Sequence, residues 1–197
     1  LSQRLKEISE GFQSSFWVAN ITELFERLSY YGVNAVLAIY LHENLKFTQA
    51  ETGNLMGFFG GVVWFLPILG GALADKFGFR RSLAFAYFIM SLGYFLLGSL
   101  SAPWMAGVRS ALPLGTVVLI ILAIPALGPA IVKPCVVGTT ARASTENVRS
   151  LGYSIYYTLV NVGGTLGPLA AGWVRQNAGI ENVFRVCALS VFLMFFG

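Results

Sequence analysis

Charged residues punctuate this chain at intervals of about one bilayer crossing. Residues 52–74, 82–108, 110–132 and 150–174 contain no Asp, Glu, Lys or Arg. A helix needs about 20 mostly apolar residues to cross the hydrocarbon core. A further stretch from about Phe12 to Leu41 is apolar except for Glu23, Glu26 and Arg27, and another begins near Asn182 and is still apolar at Gly197. The pattern predicts six transmembrane helices, near 13–41, 52–75, 80–101, 112–138, 149–174 and 182–197. Runs such as Val117–Ile124 lack the apolar/polar alternation that a membrane barrel strand shows. The fold class expected is therefore an all-α membrane protein.

Composition agrees with the pattern. Hydrophobic residues make up 56% of the chain and charged residues 11%, with a mean hydropathy of +0.69. A soluble domain carries roughly 25% charge, so a soluble enzyme and a disordered tail are both excluded. The net charge of +4 is not gathered into a basic patch, so no nucleic-acid partner is expected. Cys135 and Cys187 lie in apolar stretches with no Cys/His cluster around them, which reads as two small buried hydrophobes and no metal site. His42 follows an apolar run and reads as a helix-end residue. Residues 1–11 do not resemble a secretory signal. Leu1 and the ending at Gly197 suggest part of a longer chain.

Lys and Arg in the short loops set the orientation. Arg4, Lys6, Lys76, Arg80, Arg81, Arg142 and Arg149 fall on one side, and Lys46, Arg109, Arg175 and Arg185 on the other. The richer side should be cytoplasmic. The N-terminus is then inside a cell membrane, inner or plasma, and six crossings return the chain there.

Glu23, Glu26 and Arg27 stand at i, i+3 and i+4 of the first span, on one helical face. Each charge at bilayer depth costs about 2.5–3.5 kcal/mol on insertion scales, so the three must face a watery cavity or a partner. Lys133 is the other intramembrane charge, in a span where Pro125, Pro129 and Pro134 should bend or loosen the helix. Two acids and two bases sum to zero. Burial favours the neutral form of a carboxylate and a neighbouring cation the ionised form, so breaking such a pair could load or release a proton. A static quartet joining two helices is the other reading. Tyr30, Tyr31, Tyr156, Tyr157 and Asn161 suggest a polar cavity or hydrogen bonds between helices. Glycines such as Gly163, Gly164 and Gly167 allow close packing. No phosphate-binding loop or nucleophile constellation occurs, so neither an enzyme nor a cofactor is expected.

Two kinds of motif carry a family resemblance. Gly71-Ala72-Leu73-Ala74-Asp75-Lys76-Phe77-Gly78-Phe79-Arg80-Arg81 resembles the signature between helices 2 and 3 of major facilitator transporters. In that reading Asp75 facing Arg80 or Arg81 forms a conformational latch. Glu23-Leu24-Phe25-Glu26-Arg27-Leu28-Ser29-Tyr30-Tyr31-Gly32 resembles the ExxERxxYYG motif of proton-dependent oligopeptide transporters. Gly128 through Lys133-Pro134 is similar to that family's GxGxxKP segment, and Ser154 through Gly163 to its helix 5 pattern.

The resemblance implies that residues 1–197 are the N-terminal six-helix bundle of a major-facilitator-type transporter, an inverted three-plus-three repeat. The C-terminal bundle is absent from this sequence. It implies a proton symporter of di- or tripeptides or a related small solute. Glu23, Glu26, Arg27 and Lys133 would couple protons, and Tyr30, Tyr31, Asn34, Trp64, Tyr157 and Asn161 would line the substrate site. Several positions depart from the family. Asn34 stands where an Arg is usual, Trp64 where a Tyr is usual, Ala130 in place of a Gly, and Cys135 where Asn is frequent. Without that Arg a peptide carboxylate loses a partner. The partners implied are the substrate, protons, the lipid bilayer, and a second six-helix bundle or another membrane subunit. Two other roles fit the same residues: a transporter-derived structural subunit of a larger membrane complex, or a half-transporter acting as a homodimer.

Overall fold

The structure is a computed structural model that describes Ile8, Glu10 and residues 11–196. Arg4 and Lys6 of the charge argument lie outside the described residues. Among the described residues eight α-helices follow in order: α1 (Ser14–Ile39), α2 (Gln49–Phe65), α3 (Pro67–Phe77), α4 (Phe79–Leu97), α5 (Ala106–Ala111), α6 (Leu114–Arg142), α7 (Arg149–Ala178) and α8 (Ile180–Met194). A π-helical turn, Tyr40–Asn44, continues α1. Short 3-10 turns at Pro103–Met105 and Glu146–Val148 precede α5 and α7. The only β feature among the described residues is an isolated bridge between Phe12 and Ser144.

α1 packs along α7 and α8, α4 along α6 and α8, and α2 and α3 along α6. The core between them holds Tyr40, Tyr87, Met90, Tyr94, Leu97, Leu122 and Phe184. The Tyr40 hydroxyl donates to the Leu97 carbonyl at 3.1 Å, tying the end of α1 to the end of α4. His42 Nδ1 lies 2.8 Å from the Phe47 carbonyl, across the turn that follows.

Proline acts differently at different sites. At Pro67 the segment expected as one helix over 52–75 is broken into α2 and α3, bent by 46°. Proline has no N–H to give the preceding turn and suits the first position of a new helix. Pro125, Pro129 and Pro134 were expected to bend or loosen the fourth span, yet α6 runs unbroken from Leu114 to Arg142 through all three. Neighbouring helices fill the gaps. Pro134 releases the Ala130 carbonyl from its intrahelical bond, and a Cβ at Gly70 of α3 would collide with that oxygen. The bare Gly70 backbone therefore rests directly on it. Pro125 is likewise seated on Gly93 of α4, where a Cβ would strike the ring.

Gly78 and Gly179 lie at φ 83° and 92°, a region that L side chains avoid. Each connects two helices through a single residue, α3 to α4 and α7 to α8.

By length and apolarity alone, α6 can cross a membrane, and α2 with α3 qualifies if the bent pair is one span. The other helices fall short of that measure for physical reasons. α1 carries three charges, α7 carries tyrosines, two asparagines and glycines, and α8 has 15 residues. The three charges of α1 are covered by the bundle rather than absent.

At its N-terminus α2 is capped by Thr48. The Thr48 hydroxyl accepts from the Glu51 N–H at 3.3 Å. Glu51 Oε2 accepts from the Thr48 N–H and from its hydroxyl, each at 2.8 Å, forming a capping box. The Thr48 N–H first, then the hydroxyl, hold the Glu51 carboxyl below its ordinary value of 4.5. A carboxyl lowered by folding stabilises above its unfolded pKa and loses that contribution as pH falls through its folded pKa. Hydrogen-exchange protection of the Thr48 amide, which donates to that carboxylate, should therefore hold at neutral pH and fall in acid below 4.5. Protection unchanged by acid would count against the box.

Candidate functional site

The charged turn of α1 is held in the bundle by bare backbone on α7. A Cβ at Gly163 would lie 2.6 Å from the Arg27 Cβ and 3.1 Å from the Leu28 N. A Cβ at Gly167 would lie 2.5 Å from the Leu28 carbonyl. Glycines four apart thus let α7 approach α1 along the stretch that carries Glu23, Glu26 and Arg27.

Glu23 is 1% exposed, Glu26 0% and Arg27 8%. Arg27 Nη2 donates to Glu26 Oε1 at 2.7 Å, and Arg27 Nε pairs with Glu26 Oε2. Nε also stands 3.4 Å from Glu23 Oε1. One guanidinium therefore serves both carboxylates, with the fork toward Glu26 and a looser contact to Glu23. Glu23 Oε2 is buried and has no hydrogen-bond partner among the described residues. A buried carboxylate oxygen without a donor is costly, so Glu23 is the less firmly held of the two acids.

Lys133 is placed differently from the expected quartet. Its side chain is exposed, it makes no ion pair with either glutamate among the described residues, and its ammonium lies 5.4 Å from the Trp64 ring centroid. Charge on Glu23 is nevertheless within range of Lys133.

Aromatic residues extend the site beyond the charges. The Arg27 guanidinium sits 4.9 Å from the Tyr30 centroid, a cation–π arrangement. Tyr30 is edge-on to Tyr31 at 5.3 Å and stacked with Phe59 of α2 at 6.1 Å. Asn34 is half-buried one turn further along. Trp64 is 73% exposed and Tyr157 61% exposed, and Asn161 is exposed as well. Tyr156, beside Tyr157, is turned inward and buried. Trp64, Lys133, Tyr157 and Asn161 are thus each exposed, and of these Trp64 and Lys133 lie together.

The expected latch is corrected in its partner. Asp75 does not pair with Arg80 or Arg81; its carboxylate lies 4.0 Å from Arg142 at the end of α6. Arg142 also covers the Phe79 ring at 4.5 Å. Arg80 and Arg81 are exposed. The contact joins α3 to α6 rather than closing the loop on itself. Both partners are more than 70% exposed, so the pair contributes little stability.

Sequence reasoning missed the buried polar groups that flank the turn. Asn20 donates to the Phe16 carbonyl at 2.8 Å and to Thr140 Oγ1 at 3.3 Å. Tyr87 and Tyr94 of α4 bury hydroxyls with no hydrogen-bond partner among the described residues. Asn20, Glu23 and Arg27 follow i, i+3, i+7, a spacing that could have revealed Asn20. Tyr87 and Tyr94, seven apart, share a face in the same way.

Among the described residues the all-helical bundle thus buries one ion cluster, Glu23, Glu26 and Arg27, in its interior. Residues 20–196 match the sequence profile of the Major Facilitator Superfamily, and the chain belongs to that superfamily. It is 26% identical over 178 residues to dipeptide and tripeptide permease B of Aliivibrio fischeri, covering 88% of this chain and 34% of the permease. It is 29% identical over 191 residues to the uncharacterized transporter YclF of Bacillus subtilis, covering 93% of this chain and 36% of that protein. A crystal structure of a peptide transporter of the POT family in complex with sulfate superimposes with a TM-score of 0.78 at 26% identity, over 92% of this chain and 36% of the transporter. The chain spans about a third of the length of the curated relatives it matches.

Proposed function

We propose that these residues form the N-terminal bundle of a proton-coupled symporter of di- or tripeptides or a related small solute. The observation that carries the reading is the Glu23–Glu26–Arg27 cluster, where one guanidinium serves two buried carboxylates and leaves Glu23 Oε2 unpartnered. Arg27 grips Glu26 by two contacts and Glu23 by one, so Glu23 is the acid that takes up and releases the proton. Protonation weakens its hold on Arg27, and the loosened cation can turn toward Tyr30. Lys133 supplies a second cation near Glu23. Tyr30, Tyr31, Asn34, Trp64, Tyr157 and Asn161 contact the solute on the open side, against a second six-helix bundle.

In this reading the six spans share one domain over 1–197, with α2 and α3 as a single bent crossing. Lys76, Arg80, Arg81, Arg142 and Arg149 mark the cytoplasmic end, by the positive-inside rule, with the N-terminus cytoplasmic in a cell membrane. Asn34 in place of a cation favours solutes that need no fixed carboxylate partner at that spot.

Glu23→Gln in the intact protein should abolish pH-gradient-driven accumulation of a labelled dipeptide, by at least about tenfold. Exchange of dipeptide without a gradient should persist. Undiminished gradient-driven accumulation would rule Glu23 out as the proton carrier. Absence of peptide exchange in the unsubstituted protein would rule out peptides as the solute.

A further inference from the structure

A groove of about 440 Å³ runs along the bundle surface between α4 and α8. Its floor is made of small residues. Ser91 and the buried Ala188 meet there, and the Ser91 hydroxyl donates to the Ala188 carbonyl at 2.9 Å. That proton is committed, so the trough offers no side-chain donor along its length. Its rims are large. Phe88, Leu92 and Phe95 stand at i, i+4 and i+7 on one face of α4, opposite Leu189 and Phe192 inside α8, and each is between 38% and 59% exposed.

One end of the groove is polar. Gly98, which caps α4, lets α8 press onto bare backbone: a Cβ there would lie 2.7 Å from the Glu181 carbonyl and 3.0 Å from the Arg185 Cγ. The Arg185 side chain thereby reaches the groove. Its Nη1 donates to Asn182 Oδ1 at 3.0 Å, and its Nη2 lies 3.6 Å from Glu181 Oε2. A guanidinium carries five N–H donors, so these two contacts orient Arg185 without using it up. The Trp104 ring stacks on Phe95 at this end, with centroids 6.3 Å apart. Arg185 stands in the second turn of α8, at the bundle end that also holds the Glu43–Arg175 contact. From there a long side chain can reach the membrane surface.

An unbranched hydrocarbon suits a trough with apolar rims and a floor that lacks donors. An extended peptide does not, because its N–H and C=O groups would be left against hydrocarbon. The polar end then selects the head group. Glu181 and Arg185 sum to zero, so a purely anionic head is drawn by one and repelled by the other, while a zwitterion matches both. We propose that the α4–α8 groove binds one phosphatidylethanolamine, with an acyl chain along the trough, the phosphate on Arg185 and the ammonium on Glu181. The guanidinium fork suits phosphate oxygens. A primary ammonium donates to the Glu181 carboxylate, whereas a choline nitrogen has no N–H to give. Trp104 then lies at head-group level, where tryptophan rings collect. The groove shares no lining residue with the charged turn or the proposed solute contacts, so the assignment does not rest on the symporter reading.

The test uses the intact protein, stripped of co-purifying lipid in detergent and titrated with dioleoyl phosphatidylethanolamine or dioleoyl phosphatidylcholine under native mass spectrometry. One ethanolamine lipid should bind about tenfold more tightly than the choline lipid, the difference of one charge-assisted hydrogen bond. Arg185→Gln should weaken both by about tenfold, and Glu181→Gln should erase the preference for ethanolamine while lipid still binds. Both side chains are partly exposed, so neither change disturbs the core. In bilayers, with Trp17, Trp64 and Trp173 replaced by Phe, brominated acyl chains on phosphatidylethanolamine should quench Trp104 more than the same chains on phosphatidylcholine. Arg185→Gln should remove that difference. Equal affinity for the two head groups, or indifference to Arg185→Gln, would overturn the site. Phosphatidylglycerol bound as tightly as phosphatidylethanolamine would overturn the zwitterionic head group. No quenching by any brominated lipid would mean that protein covers the groove, which overturns the assignment as well. Neither readout needs a transported solute, so a lack of peptide uptake would sink the symporter reading without touching these results.

Discussion

Arg27→Met should destabilise the bundle by about 3–5 kcal/mol, because it strands two carboxylates in a site from which water is excluded. Arg27 holds Glu26 through two nitrogens and Glu23 through one, and no other cation forms an ion pair with either acid among the described residues. Methionine keeps much of the arginine stem's volume, so packing loss is small beside the loss of charge. Heating the solubilised protein and following the monodisperse fraction measures the cost. The triple variant Arg27→Met, Glu23→Gln, Glu26→Gln separates the causes. Removing the stranded charges should recover most of the lost stability, since it is the unpaired ion that is expensive. If the triple variant melts as low as the single one, packing against Tyr30 and α7 accounts for the loss. If the single variant melts with the unsubstituted protein, the cluster is not shielded from water.

The second large effect concerns α7. Gly167→Val should lower stability by about 1–3 kcal/mol through overpacking. The atoms that a Cβ would meet are backbone, the Leu28 carbonyl at 2.5 Å and the Gly32 N at 3.1 Å. Backbone cannot step aside as a side-chain tip can, so α1 and α7 must part. Gly172→Ala on the same helix is the control. Nothing lies within 4 Å of a Cβ there, and alanine in a helix interior gains about 0.5–1 kcal/mol over glycine. The two melting temperatures should move in opposite directions. Equal shifts would mean that the helices are not in backbone contact at Gly167. Because Gly163 meets the Arg27 Cβ in the same seam, parting the helices should also loosen the charged turn.

The charged turn was readable in the sequence because three charges inside an apolar run have no other explanation. Its internal division was not. The spacing of Glu23, Glu26 and Arg27 places them on one face, but only packing decides that Arg27 takes both acids and that Lys133 turns to Trp64. The prolines show the same limit. Pro67 breaks a helix, while Pro125, Pro129 and Pro134 leave α6 whole. The difference lies in Gly70 and Gly93, far away in sequence, which bring bare backbone to the places the prolines disturb. Asp75 finds Arg142 rather than its near neighbours, again a pairing between distant segments that no local pattern contains. Local spacing specifies faces; contacts between faces need the third dimension.

The α1–α7 seam also bears on how the chain is made. The first helix emerges from the ribosome with Glu23, Glu26 and Arg27 exposed on it, long before the glycines of α7 have been synthesised. On its own that helix is a poor guest for lipid. It must stay within the protein-lined mouth of the insertion machinery, or at the membrane surface, until its late partner arrives. Of the described helices between them, α6 is apolar enough to enter the bilayer by itself, as is the bent pair of α2 and α3 taken as one span. Biogenesis of this bundle is then a matter of delayed release, with the order of synthesis and the order of membrane entry set apart by one buried ion cluster.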